Sequence, residues 1–195
     1  PVIGEVTYGR GRLGDYSTGF WSEADRTQEV VEPGYYSVPL TRYNILAEMT
    51  ATERGGLHRY TFPASDEAAI ILDLVHGGCF DRPEDLFAEA VSDTRVVGRR
   101  HSWGWSNNQK VYFVIEFSKP FDKFEPIGEN GFYYRIHFKT EEGEQIGVKV
   151  ALSSTSPAGA ELNFSTEVKD KDFDTVRKET RAKWQNELSK IRIYG

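Results

Sequence analysis

Between Phe132 and Lys139 the chain alternates residue by residue. Phe132, Tyr134, Ile136 and Phe138 fall on one side, while Arg135, His137 and Lys139 fall on the other. A β-strand points successive side chains to opposite faces, so this period of two builds a strand with one apolar and one polar face. The same pattern recurs at Val111, Phe113, Ile115 and Phe117, and again at Ile146, Val148, Val150 and Leu152. Strands with one buried face pair naturally in antiparallel sheets that pack on a second sheet. Turn-forming residues are expected to separate them: Gly55-Gly56, Pro63 to Asp66, Lys119-Pro120, Glu129-Asn130-Gly131 and Glu142-Gly143. The expectation is an all-β fold, an antiparallel β-sandwich, with no alternation of strands and helices that would build a parallel sheet.

Two segments break the period. Arg82-Pro83-Glu84-Asp85 places a proline and acids where a first helical turn favours them, which predicts a small surface helix to Ala90. Beyond Asp172, the residues Phe173, Val176, Thr180, Trp184, Leu188 and Ile191 recur at spacings of three and four, the mark of an amphipathic helix. Asp170 or Asp172 can cap it, and Asp174 and Lys178 form an i, i+4 pair on its other side. Its apolar stripe needs cover. Trp184 is expected to pack inward on the sandwich and anchor the helix, leaving Leu188 and Ile191 partly uncovered for self-association or a missing domain.

The 195 residues suit one domain with an appendage. The balance of 24 basic against 30 acidic residues, a net charge of −6, lacks the clustered Lys and Arg that nucleic acid or an anionic membrane would require. The longest apolar run, Ala68 to Leu72, is far too short to cross a bilayer. Cys79 is the single cysteine, which leaves no intrachain disulfide and no thiolate metal site. The chain opens Pro1-Val2-Ile3 without a signal-peptide pattern, and so reads as a processed or excised piece of something longer.

Candidate chemistry is sparse. His58, His76, His101 and His137 show no metal-ligand spacing. His58 beside Arg59 suits a hydrogen-bonded structural role, and His137 an exposed outer face. Cys79 has His76 three residues away but no third orienting group, and Gly9 to Gly14 resembles a phosphate loop without its lysine. Glu48 and Glu53 could be a carboxylate pair, but a cross-strand salt bridge from Glu48 to Arg54 or Arg59 explains Glu48 as well. The stretch from His101 to Gln109 is more suggestive: Trp103 and Trp105 flank a glycine, and Asn107, Asn108 and Gln109 follow. Flat rings stack on the CH faces of sugars and amides pair with hydroxyls, so Trp103, Trp105 and Asn107 are candidate carbohydrate-binding residues. Equally, the tryptophans could fold back onto the core.

Four stretches, taken together, resemble the N-terminal domain of glycoside hydrolase family 92. They are PGYYSV leading to AEMTATERGGLHRYTFP (Pro33 to Pro63), GWSNNQKVYFVIEFSKPF (Gly104 to Phe121), VKVALSSTSPAGAELNFSTEV (Val148 to Val168) and DFDTVRKETRAKWQNELSKIRI (Asp172 to Ile193). The resemblance implies a supersandwich-like β-domain over residues 1–168. It also implies a linker helix over 169–195 that leads to a large helical catalytic domain. It further implies a secreted, periplasmic or cell-surface α-mannosidase, exo-acting, inverting and calcium-dependent, acting on mannose-containing glycans. Inversion needs two carboxylates separated by about 6.5–9.5 Å. In the family these, and the calcium ligands, lie in the helical domain, so the resemblance carries no catalytic or metal residue onto this chain and implies that it is inactive alone. A free-standing carbohydrate-binding module using Trp103 and Trp105 remains the other reading.

Overall fold

The computed structural model describes residues 1–7, 15, 18–77, 80–129 and 131–193. Among these are twelve strands and two helices. The strands are β1 (Val2–Ile3), β2 (Val30–Glu32), β3 (Tyr35–Leu40), β4 (Ile45–Ala51), β5 (Gly55–Phe62), β6 (Ser65–Asp73), β7 (Arg82–Ala90), β8 (Arg95–Trp103), β9 (Gln109–Phe117), β10 (Lys123–Ile127), β11 (Tyr133–Thr140) and β12 (Glu144–Ser153). Helix α1 spans Pro157–Glu167 and α2 spans Phe173–Leu188. The strands form two antiparallel sheets, a smaller one ordered β1-β6-β11-β10 and a larger one ordered β2-β3-β4-β5-β12-β9-β8-β7. This is the expected β-sandwich.

The alternating rows become the core between the sheets. Ile136 and Phe138 of β11 meet Phe113, Ile115 and Phe117 of β9, Ile146 and Val148 of β12, and Tyr60 and Phe62 of β5. Removing each such side chain from water contributes roughly 1.5–3 kcal/mol, so this layer dominates the stability of the fold. The larger sheet is also buried on its outer face. Leu57, Val114 and Ala151 point outward and pack under Ala160 and Phe164 of α1, Val168, and Val176 of α2. One covered face per strand is therefore too simple for the middle of this sheet, which has two.

Two departures from the sequence reading follow. Residues Arg82–Ala90 are strand β7, not a surface helix, and they pair with β8 along its length. β7 is the last strand of its sheet, so Pro83 needs no ladder partner on its open side, and the register shifts between Pro83 and Asp85. Helix α1 was not anticipated. Ser156 caps it by accepting from the Gly159 N–H at 3.0 Å, and Pro157 opens its first turn. Ala160, Phe164 and Val168, spaced four apart, are the signal that could have revealed it.

Helix α2 starts where expected. Asp172 caps it, accepting from the Thr175 N–H at 2.7 Å. Its N-terminal half lies on the sheet, but beyond Thr180 it runs past the end of β4. Trp184 is therefore 50% exposed instead of packing inward on the sandwich as expected. Leu188 and Ile191 are exposed as well.

Candidate functional site

On the outer face of the larger sheet, the seat of α2 is built by residues of the PGYYSV hairpin. Glu48 and Arg59 are cross-strand partners on β4 and β5. Arg59 grips the Glu48 carboxylate with two hydrogen bonds, of 2.7 and 2.8 Å, and Tyr35 donates to it at 2.9 Å. These donors, Arg59 foremost, hold the Glu48 carboxyl below the usual carboxylate range even though its burial acts in the opposite direction. The second face of the guanidinium reaches α2: Arg59 lies 4.3 Å from the centre of the Phe173 ring and 3.3 Å from the Asp174 carboxylate. Arg177 of α2 stacks on Tyr35 at 3.4 Å and bonds Glu32 at 3.2 Å. Asp174 thus turns toward the sheet and Arg59, away from the expected pairing with Lys178. Gly34 has φ +81°, and a Cβ there would lie 2.6 Å from Thr180. Of the two partners open to Glu48, the structure selects Arg59; Arg54 instead pairs with Glu167 at 3.1 Å. These polar residues are a helix clamp and offer no free carboxylate pair.

The Trp103–Asn107 stretch lies at one end of the sandwich. The registers Ser102↔Gln109, Arg82↔Trp103, Ser153↔Tyr112 and Ala51↔Gly56 bring four segments to that end. They are the β8–β9 turn, the start of β7, the β12–α1 connection and the β4–β5 tip. Helix α2 arrives there too, with the Thr180 hydroxyl donating to the Ala51 carbonyl at 2.7 Å. At this end Trp105 is 95% exposed and Trp103 45% exposed, with Asn107 and Phe80 exposed beside them. The tryptophans do not fold back onto the core. Leu152, Trp184 and Leu188 add exposed apolar surface. Apolar side chains from four segments therefore remain uncovered on one end.

This end is held by a buried ion pair that sequence reasoning missed. Arg100 bonds the Asp81 carboxylate at 2.6 and 3.1 Å and the Leu74 carbonyl at 2.9 Å. Arg100 also holds the Asp81 carboxyl below its ordinary range. A Cβ on Gly104 would lie 2.6 Å from the Phe80 carbonyl oxygen, so the glycine between the tryptophans lets the two loops touch. No local pattern signals this pair, since Asp81 is nineteen residues away from Arg100.

The histidines have separate local partners. His58 lies 2.7 Å from the Tyr60 hydroxyl, and burial lowers its pKa. His137 pairs with Glu125 instead of standing free on the outer face, and His76 with Asp73. Among the described residues no three His, Cys, Asp or Glu side chains group as a metal site. Residues Gly9 to Gly14 and Cys79 lie outside the described residues. No helix among the described residues is long and apolar enough to cross a membrane.

A model described as the glycosyl hydrolase family 92 N-terminal domain matches residues 1–153. The structure is similar to the family GH92 α-mannosidase BT3965 from Bacteroides thetaiotaomicron, with a TM-score of 0.91 and 28% identity over 99% of this chain and 28% of that one. It is also similar to the GH92 family glycosyl hydrolase ccman5, with a TM-score of 0.77 and 25% identity over 89% of this chain and 26% of that one. The family GH92 inverting mannosidase BT2199 from Bacteroides thetaiotaomicron VPI-5482 shares the fold, with a TM-score of 0.76 and 24% identity over 89% of this chain and 25% of that one. The chain spans 28% or less of the length of each. A search of curated proteins finds no match. The chain belongs to the glycosyl hydrolase family 92 N-terminal domain family.

Proposed function

We propose that this domain is the N-terminal β-sandwich of an α-mannosidase acting outside the cytoplasm on mannose-containing glycans. In this reading residues 1–168 buttress a helical catalytic domain of the same polypeptide, and residues 169–195 lead into it. One observation carries the reading: the exposed apolar side chains of the β8–β9 turn, Phe80, Leu152 and the far half of α2 gather on a single end. That end is assigned the contact with the catalytic domain, and Trp103, Trp105 and Asn107 are assigned one wall of the sugar site. Rings there would stack on the CH face of a mannose unit while the amide reaches its hydroxyls. The acid, the base and the calcium ligands are assigned to the catalytic domain, consistent with Glu48 being committed to Arg59.

The test is Trp103→Ala and Trp105→Ala in the full polypeptide, assayed on an aryl α-mannoside. Loss of an aromatic anchor should cost about 1–3 kcal/mol in kcat/KM with unchanged melting behaviour. Wild-type kinetics in both variants would remove this loop from the sugar site.

A further inference from the structure

A second surface, on the outer face of the larger sheet beside the tryptophan end, carries recognition chemistry of its own. Helix α1 packs chiefly on β12 and β9, and α2 on β4 and β5. The outer face of β7 and β8 is left beside them, and register lines it with side chains that point the same way. Phe87 stands opposite Arg99, Arg99 opposite Tyr112, and Asp85 opposite His101. Between this strip and the first turn of α1 runs a groove of about 420 Å³. Its floor and walls are Phe87, Val97, Tyr112, Pro157 and Ala158, with Glu89, Arg99 and Glu161 on its rim.

We propose that this groove binds a neutral hexose residue of a glycan, as a site separate from the one above. The volume falls within the range of small-ligand sites, which pair an apolar lining with a few fixed polar groups. Those groups are fixed here. Asp85 holds Arg99 at 2.6 and 3.0 Å, and the guanidinium lies 4.9 Å from the centre of the Phe87 ring. Arg95 holds Glu161 at 2.6 Å. The Tyr112 ring is set edge-on to His101 at 5.2 Å. A pre-set ring for stacking, with ordered donors and acceptors at its rim, recognises hydroxyls at small ordering cost. Charge narrows the class. Asp85, Glu89, Glu116 and Glu161 outnumber Arg95 and Arg99 around the groove, which disfavours phosphorylated, sulfated or acidic sugars. The cation-binding face of Phe87 is already occupied by Arg99, which disfavours a cationic ligand.

The test is an amide-resolved NMR titration of the chain with methyl α-mannopyranoside and, as a second neutral probe, maltose. At least one probe should give saturable shifts at Phe87, Arg99 and Tyr112, with Kd on the order of 1 mM, the weak end of specific binding. Tyr112→Ala should weaken that binding at least tenfold, and Tyr112→Phe, which keeps the ring, much less. If Tyr112→Ala fails to fold, Glu89→Gln and Phe87→Leu replace it, and each should weaken binding severalfold. Absence of saturable shifts at this strip with both probes overturns the proposal, as do shifts confined to Trp103–Asn108, or wild-type binding by the variants. None of these outcomes bears on the kinetics of the tryptophan variants, so the two readings fail separately.

Discussion

Glu48 is 6% exposed, yet it carries a charge because Arg59 and Tyr35 replace the water it gave up. Removing one partner of such a pair is far costlier than the pair is stabilising, since the other is left buried and uncompensated. Arg59→Met should therefore destabilise the domain by about 3 kcal/mol, measured by urea unfolding at neutral pH. The same pair predicts a pH dependence. The folded-state pKa of Glu48 is depressed, so its contribution is fully present above the ordinary carboxylate range and is lost as pH falls through the folded value. Wild-type stability should fall as pH drops below about 4, and Arg59→Met should show a shallower fall. An identical slope in both proteins would show that other carboxylates dominate. Gly104 is a second residue whose role is spatial: Gly104→Ala places a methyl group 2.6 Å from the Phe80 carbonyl oxygen. Forcing the two loops apart should cost about 1–3 kcal/mol and broaden or shift the amide signals of Trp103 and Trp105.

Among the elements, α1 shows how a helix can escape a reading based on strands. Only Ala160, Phe164 and Val168 mark its buried stripe, three residues in a segment otherwise rich in Ser, Thr and Glu. Phe164 is fully buried, with the Arg95 guanidinium 4.6 Å from the centre of its ring. Phe164→Ala should destabilise by about 3–5 kcal/mol in thermal or urea unfolding, the range for a large aromatic removed from a packed core. A loss below about 1 kcal/mol would mean that α1 is an ornament on the sheet and not part of its core. The error at β7 has a different origin. Acids after a proline suit a helix N-terminus, but proline suits an edge strand equally, and the alternation of Leu86 and Ala88 against Phe87 and Glu89 is too short to overrule it. Which choice wins depends on β8, which pairs in register with eight of the nine residues of β7.

For the whole molecule, exposed Trp184, Leu188 and Ile191 form apolar surface that water does not favour. The isolated chain should self-associate through it, seen as a concentration-dependent mass in light scattering, and Leu188→Lys with Ile191→Lys should disperse it. A monomer at high concentration would overturn this. The sandwich, the α2 start at Asp172 and the Glu48 salt bridge were legible because each rests on local periodicity, a local cap or one hairpin. Trp103, Trp105 and Asn107 were legible as chemistry but not as a place. Tertiary structure alone decided the rest. Trp184 lies outside because the sheet ends beneath α2, a fact about strand lengths far from it in sequence. Phe80, Trp103, Leu152 and Trp184 share one end because antiparallel register carries separate turns to the same edge. Side-chain alternation determines which way a residue points. Only the pairing of distant strands determines what it points at.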